Sequence, residues 1–221
     1  MPIILHKALQ RSNSWFDVRA KTPVTSSIID TILGRGLTYN QLVKDKALDI
    51  SYNLSHIKAI EHGVKFEPVA IQALSKDMKI YDCGFVTNTE YPKMGVSPDG
   101  VIESYEGAPA LLEVKCPYSR DLKKPIPKGY IHQVQLQMLV TGIHRCLFAQ
   151  FSFNLYNGEE LDRRLDLIEF DEEWYPTNKE KIDQYIRDIS DQRSQEGASL
   201  LEMLQQFEAK TTEKPVCLLD F

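Results

Sequence analysis

The pattern of apolar and polar positions divides the chain into helical and extended stretches in mixed order. Residues 24–33 place hydroxyls before apolar residues, with Gly34 and Gly36 following, which predicts a short helix starting near Thr25 and Ser26. Ile57, Ile60, Val64, Ala70, Ile71 and Leu74 recur at helical spacing and predict a helix over about 55–77, whose start is blurred by Gly63 and Pro68. Extended stretches follow at 85–89, 101–105 and 111–115, the last two joined by a turn at 106–109. Residues 130–140 lack helix breakers and read as a helix with apolar Ile131, Val134 and Met138. Strands over about 146–155 and 160–170 flank Asn157-Gly158, a strong hairpin signal. In the tail, Thr177-x-x-Glu180 has the form of a capping box. One apolar stripe (Ile182, Tyr185, Ile186, Ile189) and then another (Leu200, Leu201, Leu204, Phe207) continue it as helix. The alternation of strands and helices predicts an α/β fold: one domain over 1–221, its core at about 15–170 and a C-terminal helical cap at about 174–210.

Composition narrows the class and then divides the chain electrostatically. The 221 residues are 43% hydrophobic and 26% charged, ordinary globular usage that argues against disorder and coiled coil. No run approaches the ~20 apolar residues of a membrane span, and the opening residues show no leader pattern, so an intracellular protein without membrane contact is expected. Cys83, Cys116, Cys146 and Cys217 are scattered and form no Cys-x-x-Cys pair, which predicts reduced, packed thiols. The overall charge of −5 conceals a net +4 over residues 1–150 and a net −9 over 151–221. Polyanions are held by local rather than total charge. The densest basic stretch runs from Lys115 through Arg120, Lys123 and Lys124 to Lys128. Charge alone leaves a solvated loop as the alternative.

The most informative pattern is Ser97-Pro98-Asp99-Gly100 followed by Leu111-Leu112-Glu113-Val114-Lys115. Side chains alternate along a strand, so Glu113 and Lys115 share one face while Leu112 and Val114 point to the other. If 101–105 and 111–115 pair as a hairpin, Asp99 comes to lie close to Glu113, and two carboxylates converge beside an ammonium. Such a pair repels unless a cation stands between, and hard oxygen donors suit Mg²⁺ or Mn²⁺. A site of this kind performs phosphodiester chemistry, with Lys115 within reach of the attacking water or a phosphate oxygen. Spacing alone leaves a surface strand with paired charges as the other reading.

Further motifs resolve the choice. Asp99…Glu113-Val114-Lys115 resembles the core of the PD-(D/E)xK nucleases, specifically the branch of phage lambda exonuclease and the YqaJ-like viral recombinases. In chain order, Trp15-x-x-x-Arg19 with Val24-Thr25-Ser26, Gly63-x-x-Phe66-Glu67, Cys116-Pro117 with Ser119-Arg120, and Tyr130-x-x-Gln133-Val134-Gln135 resemble motifs of the same branch. The resemblance spans about residues 15–140 and implies a restriction-endonuclease-like fold, a central mixed sheet flanked by helices. It implies that Asp99 and Glu113 ligate Mg²⁺, with Mn²⁺ as a substitute, that the Val114 carbonyl adds an oxygen, and that Glu67 reaches a second metal or its water. Lys115 would act on the nucleophilic water, Gln133 and Tyr130 would orient the site, and Arg19, Ser26 and Arg120 would hold the 5′-phosphate of a DNA end. The lambda enzyme's acidic position shortly before Ser-Pro-Asp is Thr89 here, with Glu90 adjacent. The iron–sulfur cluster of some related nucleases needs clustered downstream cysteines, whereas Cys217 stands alone.

The implied activity is Mg²⁺-dependent 5′-to-3′ degradation of one strand of linear duplex DNA to 5′-mononucleotides, leaving 3′ overhangs for recombination. A homotrimeric ring, a single-strand annealing partner and a phage or viral origin accompany the resemblance. The alternatives are an endodeoxyribonuclease of the same fold and a catalytically silent DNA-end-binding module.

Overall fold

The computed structural model describes residues 2–8, 10–52, 54–119, 121–122 and 125–212, with side chains described as far as residue 205. In chain order the elements are β1 (Ile3–His6), α1 (Asn13–Ala20), β2 (Val24–Thr25), a 3-10 turn at Ser26–Ile28, α2 (Ile29–Gly34), α3 (Tyr39–Ala47), α4 (Lys58–Leu74), β3 (Ile80–Tyr81), β4 (Phe85–Asn88), β5 (Met94–Val96), β6 (Gly100–Tyr105), β7 (Ala108–Lys115), α5 (Lys128–Thr141), β8 (Arg145–Phe153), β9 (Glu160–Glu169) and α6 (Trp174–Thr212). Among the described residues no helix is long and apolar enough to cross a membrane.

Five strands form the main sheet in the order β3-β6-β7-β8-β9. It is mixed: β7 and β8 run parallel, the other pairs antiparallel. The parallel step requires a crossover, and α5 supplies it. The β6–β7 turn is tighter than its sequence suggests. Glu106 and Gly107 both adopt positive φ (51° and 85°), as a two-residue hairpin turn requires, so Ala108 and Pro109 already belong to β7. The β8–β9 connection is longer than a two-residue Asn-Gly turn; Asn154 donates its N–H to the Glu159 carbonyl, and Gly158 takes the positive φ.

A smaller sheet, β1-β4-β5-β2, stands beside the main one. Of its strands the sequence pattern predicts only the one at 85–89; β2 and β5, of two and three residues, are too short for an alternation to register, and the residues of β1 are apolar in succession rather than alternating. The two sheets share α5. One face of the helix packs Val134 and Met138 against Leu111, Cys146 and Phe148 of the main sheet. Another packs Leu136, Leu139 and Val140 against β4, β5, α2 and α6. The opposite face of the main sheet, including Leu112, Val114, Leu147 and Phe151, is covered by α4 through Phe66, Ala70 and Leu74.

Two helical expectations are corrected. In α4 the buried row is His62, Phe66, Ala70 and Leu74, while Ile57, Ile60 and Val64 remain exposed. The helix is rotated so that its aromatic side chain, the largest apolar one, enters the sheet. In α6 the chain is already helical from Trp174, and Thr177 donates its N–H to Glu173 within the first turn instead of capping it. Asp171 takes the capping role, its Oδ1 accepting from the Glu173 N–H at 3.0 Å. Ile182, Tyr185 and Ile189 bury the first half of this helix, whereas Leu200, Leu201 and Leu204 are exposed; the Phe207 side chain lies outside the described residues.

Candidate active site

The β6–β7 hairpin brings Asp99 against Glu113 as the spacing predicts. The Asp99 N–H donates to the Leu112 carbonyl at 3.0 Å, and its Oδ2 accepts from the Val114 N–H at 2.7 Å. The carboxylate is thereby tied across the hairpin. Burial, reinforced by the neighbouring charge of Glu113, pushes the Asp99 carboxyl well above its ordinary range.

Alternation along β7 sends Leu112 and Val114 under α4 and aims Glu113 and Lys115 at the α5 side. Glu113 is not a surface charge, since only 2% of its side chain is exposed. A buried carboxylate persists only when its oxygens are met by donors. Lys115 Nζ and Gln133 Nε2 (2.5 Å) both donate to Oε1, and Gln137 Nε2 donates to Oε2 at 2.7 Å. Gln133 and Gln137 stand one helical turn apart on α5, so one helix face grips both oxygens. Gln137 was not anticipated, although the Gln133-x-x-x-Gln137 spacing carries the signal.

Lys115 is 22% exposed and lies 5.2 Å from the centre of the Tyr130 ring. Burial would lower its pKa, but Glu113 and Asp99 outweigh that and hold it above the ordinary range, so it is an ammonium at neutral pH. Glu67 comes from α4. Burial raises its pKa, Arg11 opposes that, and the charge of Glu113 adds to it. Arg11 Nη2 donates to Glu67 Oε2 at 3.1 Å; this residue also was not anticipated. Arg11, Glu67, Lys115 and Tyr130 line a groove of about 420 Å³ together with Val114, Cys116 and Tyr118. Burial drives the Cys116 thiol up to about 12, so it is not a nucleophile near neutral pH.

Among the described residues, no three His, Cys, Asp or Glu side chains form a cluster that could hold a metal. Asp99 and Glu113 are the two carboxylates that the hairpin brings together. That pair fits a hard divalent ion, which takes one or two carboxylates and completes its shell with water and phosphate oxygens.

A second polar cluster adjoins the first. Arg19 lies over the Trp15 ring at 4.8 Å and donates to Ser27 Oγ at 2.5 Å. Ser27, not Ser26, thus meets the guanidinium; Ser26 is buried at the start of the 3-10 turn. Trp15 is a core residue, packed edge-on to Phe85, and its Nε1 donates to Ser97 Oγ at 3.2 Å. Ser97 in turn donates to the Gly84 carbonyl at 2.6 Å. The Arg19 seat is thereby anchored to the segment carrying Asp99. Arg120, Lys123, Lys124 and Cys217 lie outside the described residues. His132 faces away from these clusters in its bonding, since its Nδ1 accepts from Trp174 Nε1 at 2.9 Å and joins α5 to α6.

The sequence model of the YqaJ-like viral recombinase domain matches residues 14–144. A curated relative, uncharacterized protein R354 of Acanthamoeba polyphaga mimivirus, is 26% identical over 119 residues, which cover 47% of this chain but only 22% of that protein. Among solved structures, the alkaline exonuclease LHK-Exo from Laribacter hongkongensis superposes with a TM-score of 0.66 at 20% identity, covering 91% of this chain and 100% of the other. The same enzyme in complex with dAMP gives 0.57 at 22% identity, with the same coverage. A phage-related exonuclease from Haemophilus somnus 129PT gives 0.52 at 16% identity, covering 81% and 96%. The fold is the restriction-endonuclease-like α/β fold of these alkaline exonucleases.

Proposed function

The chain belongs to the YqaJ-like viral recombinase family, and from that premise we propose that it is a Mg²⁺-dependent exodeoxyribonuclease. It degrades the 5′-phosphorylated strand of linear duplex DNA from the end, releases 5′-mononucleotides and leaves a 3′ overhang. The observation that carries this reading is the buried Glu113 beside Asp99, held by the three donors Lys115, Gln133 and Gln137. A surface ion pair needs no such arrangement. The fold supports the same class, and the dAMP bound by LHK-Exo is the kind of product expected here.

Asp99 and Glu113 would hold the divalent ion, with the Val114 carbonyl as a further oxygen. When bound, such an ion makes water more acidic and stabilises negative charge growing on phosphate. Lys115, kept cationic by its neighbours, places its ammonium where the attacking water loses its proton and the phosphate gains charge. Gln133 orients Glu113, and Tyr130 flanks Lys115. Arg19, with Ser27 and Ser26 nearby, grips the 5′-phosphate of the DNA end through a planar guanidinium. Arg120 is assigned to the same phosphate from its motif. Duplex DNA ends are the substrate; a single-strand annealing protein and a homotrimer are the partners proposed with it.

The test compares linear duplexes bearing 5′-phosphate or 5′-hydroxyl ends, a closed circle and single strands, each with Mg²⁺ and with EDTA. Mononucleotide release from the phosphorylated duplex, abolished by EDTA and by Glu113→Gln or Lys115→Ala with DNA binding retained, is expected. Cutting of the circle would make the protein an endonuclease, and undiminished turnover by both variants would refute the site.

A further inference from the structure

The Glu67 end of the groove is met by a cation that the chain itself supplies. Arg11 adopts φ +68°, a left-handed conformation that costs a side-chain-bearing residue roughly 1 kcal/mol and persists only where its surroundings demand it. It stands immediately before Ser12, whose Oγ accepts from the Trp15 N–H and caps α1. From that position Arg11 spans 56 residues of sequence to reach Glu67, and its side chain, 41% exposed, lines the groove with Lys115 and Tyr130.

We propose that Arg11 occupies the place of a second divalent ion, so that the site takes one ion at Asp99 and Glu113 while the Arg11 guanidinium supplies positive charge at Glu67 in the adjoining groove. The inference rests on the phosphodiester-cleaving reading given above and specifies its metal content. Two observations carry it besides the ion pair. First, Glu67 does not join Asp99 and Glu113 in a metal-holding cluster among the described residues. Second, the charges balance for one ion. Glu67, Asp99 and Glu113 against Lys115 and Arg11 leave one net negative charge. A single divalent ion turns that into one net positive charge, which matches the single negative charge of a phosphodiester. A second divalent ion would leave the groove three positive charges and force Arg11 from its carboxylate. The guanidinium is also an effective phosphate ligand, because its planar fork donates to two oxygens at once.

The test titrates Mn²⁺ alone into the full chain and counts bound ions by the electron paramagnetic resonance of the free ion and by calorimetry. Circular dichroism confirms that each variant is folded. One ion is expected for the unaltered protein and for Arg11→Lys, two for Arg11→Met and Arg11→Gln. Two ions bound with Arg11 intact overturn the proposal without a variant being needed, and so does a single ion in both neutral variants. Glu113→Gln serves as the separate control. If it binds Mn²⁺ as the unaltered protein does, the assignment of the metal site fails, whatever Arg11 does.

Discussion

A methyl group added at Gly95 of β5 would stand 2.5 Å from Phe85 Cζ, 2.6 Å from Phe85 Cε1 and 3.0 Å from Thr22 Cγ2. Carbon atoms in packed interiors rest at about 3.5–4.0 Å, so the overlap is about 1 Å. Phe85 is fully buried and cannot swing into solvent. Its ring also packs against Trp15, which holds Ser97 and underlies Arg19. Overpacking a core costs about 1–3 kcal/mol, and each kcal/mol lowers the melting temperature of a protein this size by about 2–4 °C. Gly95→Ala is therefore expected to melt about 2–12 °C below the unaltered protein. Phe85→Leu removes the ring edge that the methyl meets. Alone it destabilises through the cavity it leaves, but combined with Gly95→Ala it should cost less than the sum of the two by about 1 kcal/mol or more. Thermal and urea unfolding of the four proteins measure the cycle. Additive losses, or a Gly95→Ala melt unchanged within 1 °C (roughly the resolution needed for the smallest expected cost), would refute the packing argument. Because the disturbance propagates through Trp15, the KM for 5′-phosphorylated duplex should rise more than kcat falls.

Asp99→Asn should stabilise the metal-free protein while abolishing cleavage. Burial and Glu113 raise the folded-state pKa of Asp99, so the stability it lends is complete below its unfolded value of about 3.9 and is lost as pH rises through the folded value. In EDTA at pH 8 the variant is expected to melt higher than the unaltered protein, with the gap closing toward pH 4; a lower melt at pH 8 contradicts this. Arg19→Ala should weaken use of 5′-phosphorylated ends and leave 5′-hydroxyl ends nearly unchanged, and equal losses on both would remove Arg19 from the phosphate seat. Gln137 is wholly buried, and replacing it by Met removes the donor to Glu113 Oε2. A loss of about 1–3 kcal/mol in urea unfolding, with weaker Mn²⁺ binding, is expected; full retention of both would show that the grip on Glu113 does not depend on it.

The residues of β7 announce their own geometry, because a period of two is a local property of a strand. Leu112 and Val114 go to the core, Glu113 and Lys115 to the other face, and Asp99 comes alongside once the hairpin closes. The helix over 130–140 and the paired strands after it were equally legible, since breakers and turn residues act over a few positions. Other features depend on what each element meets. That Glu113 is buried and held by Gln137 follows from α5 lying between two sheets, and of the second sheet only β4 declares itself in the sequence. Which face of α4 enters the core was decided by the partner sheet, which took Phe66 and left Ile57, Ile60 and Val64 outside. Arg11 lies outside every motif and reaches Glu67 only because the loop before α1 runs alongside α4. The sequence by itself therefore determined the strand faces, the hairpin and the Asp99–Glu113–Lys115 set, all products of short-range periodicity and turn chemistry. The donors surrounding that set and the cation beside Glu67 were decided by tertiary structure, because they arise from contacts between segments whose relative placement no local pattern encodes.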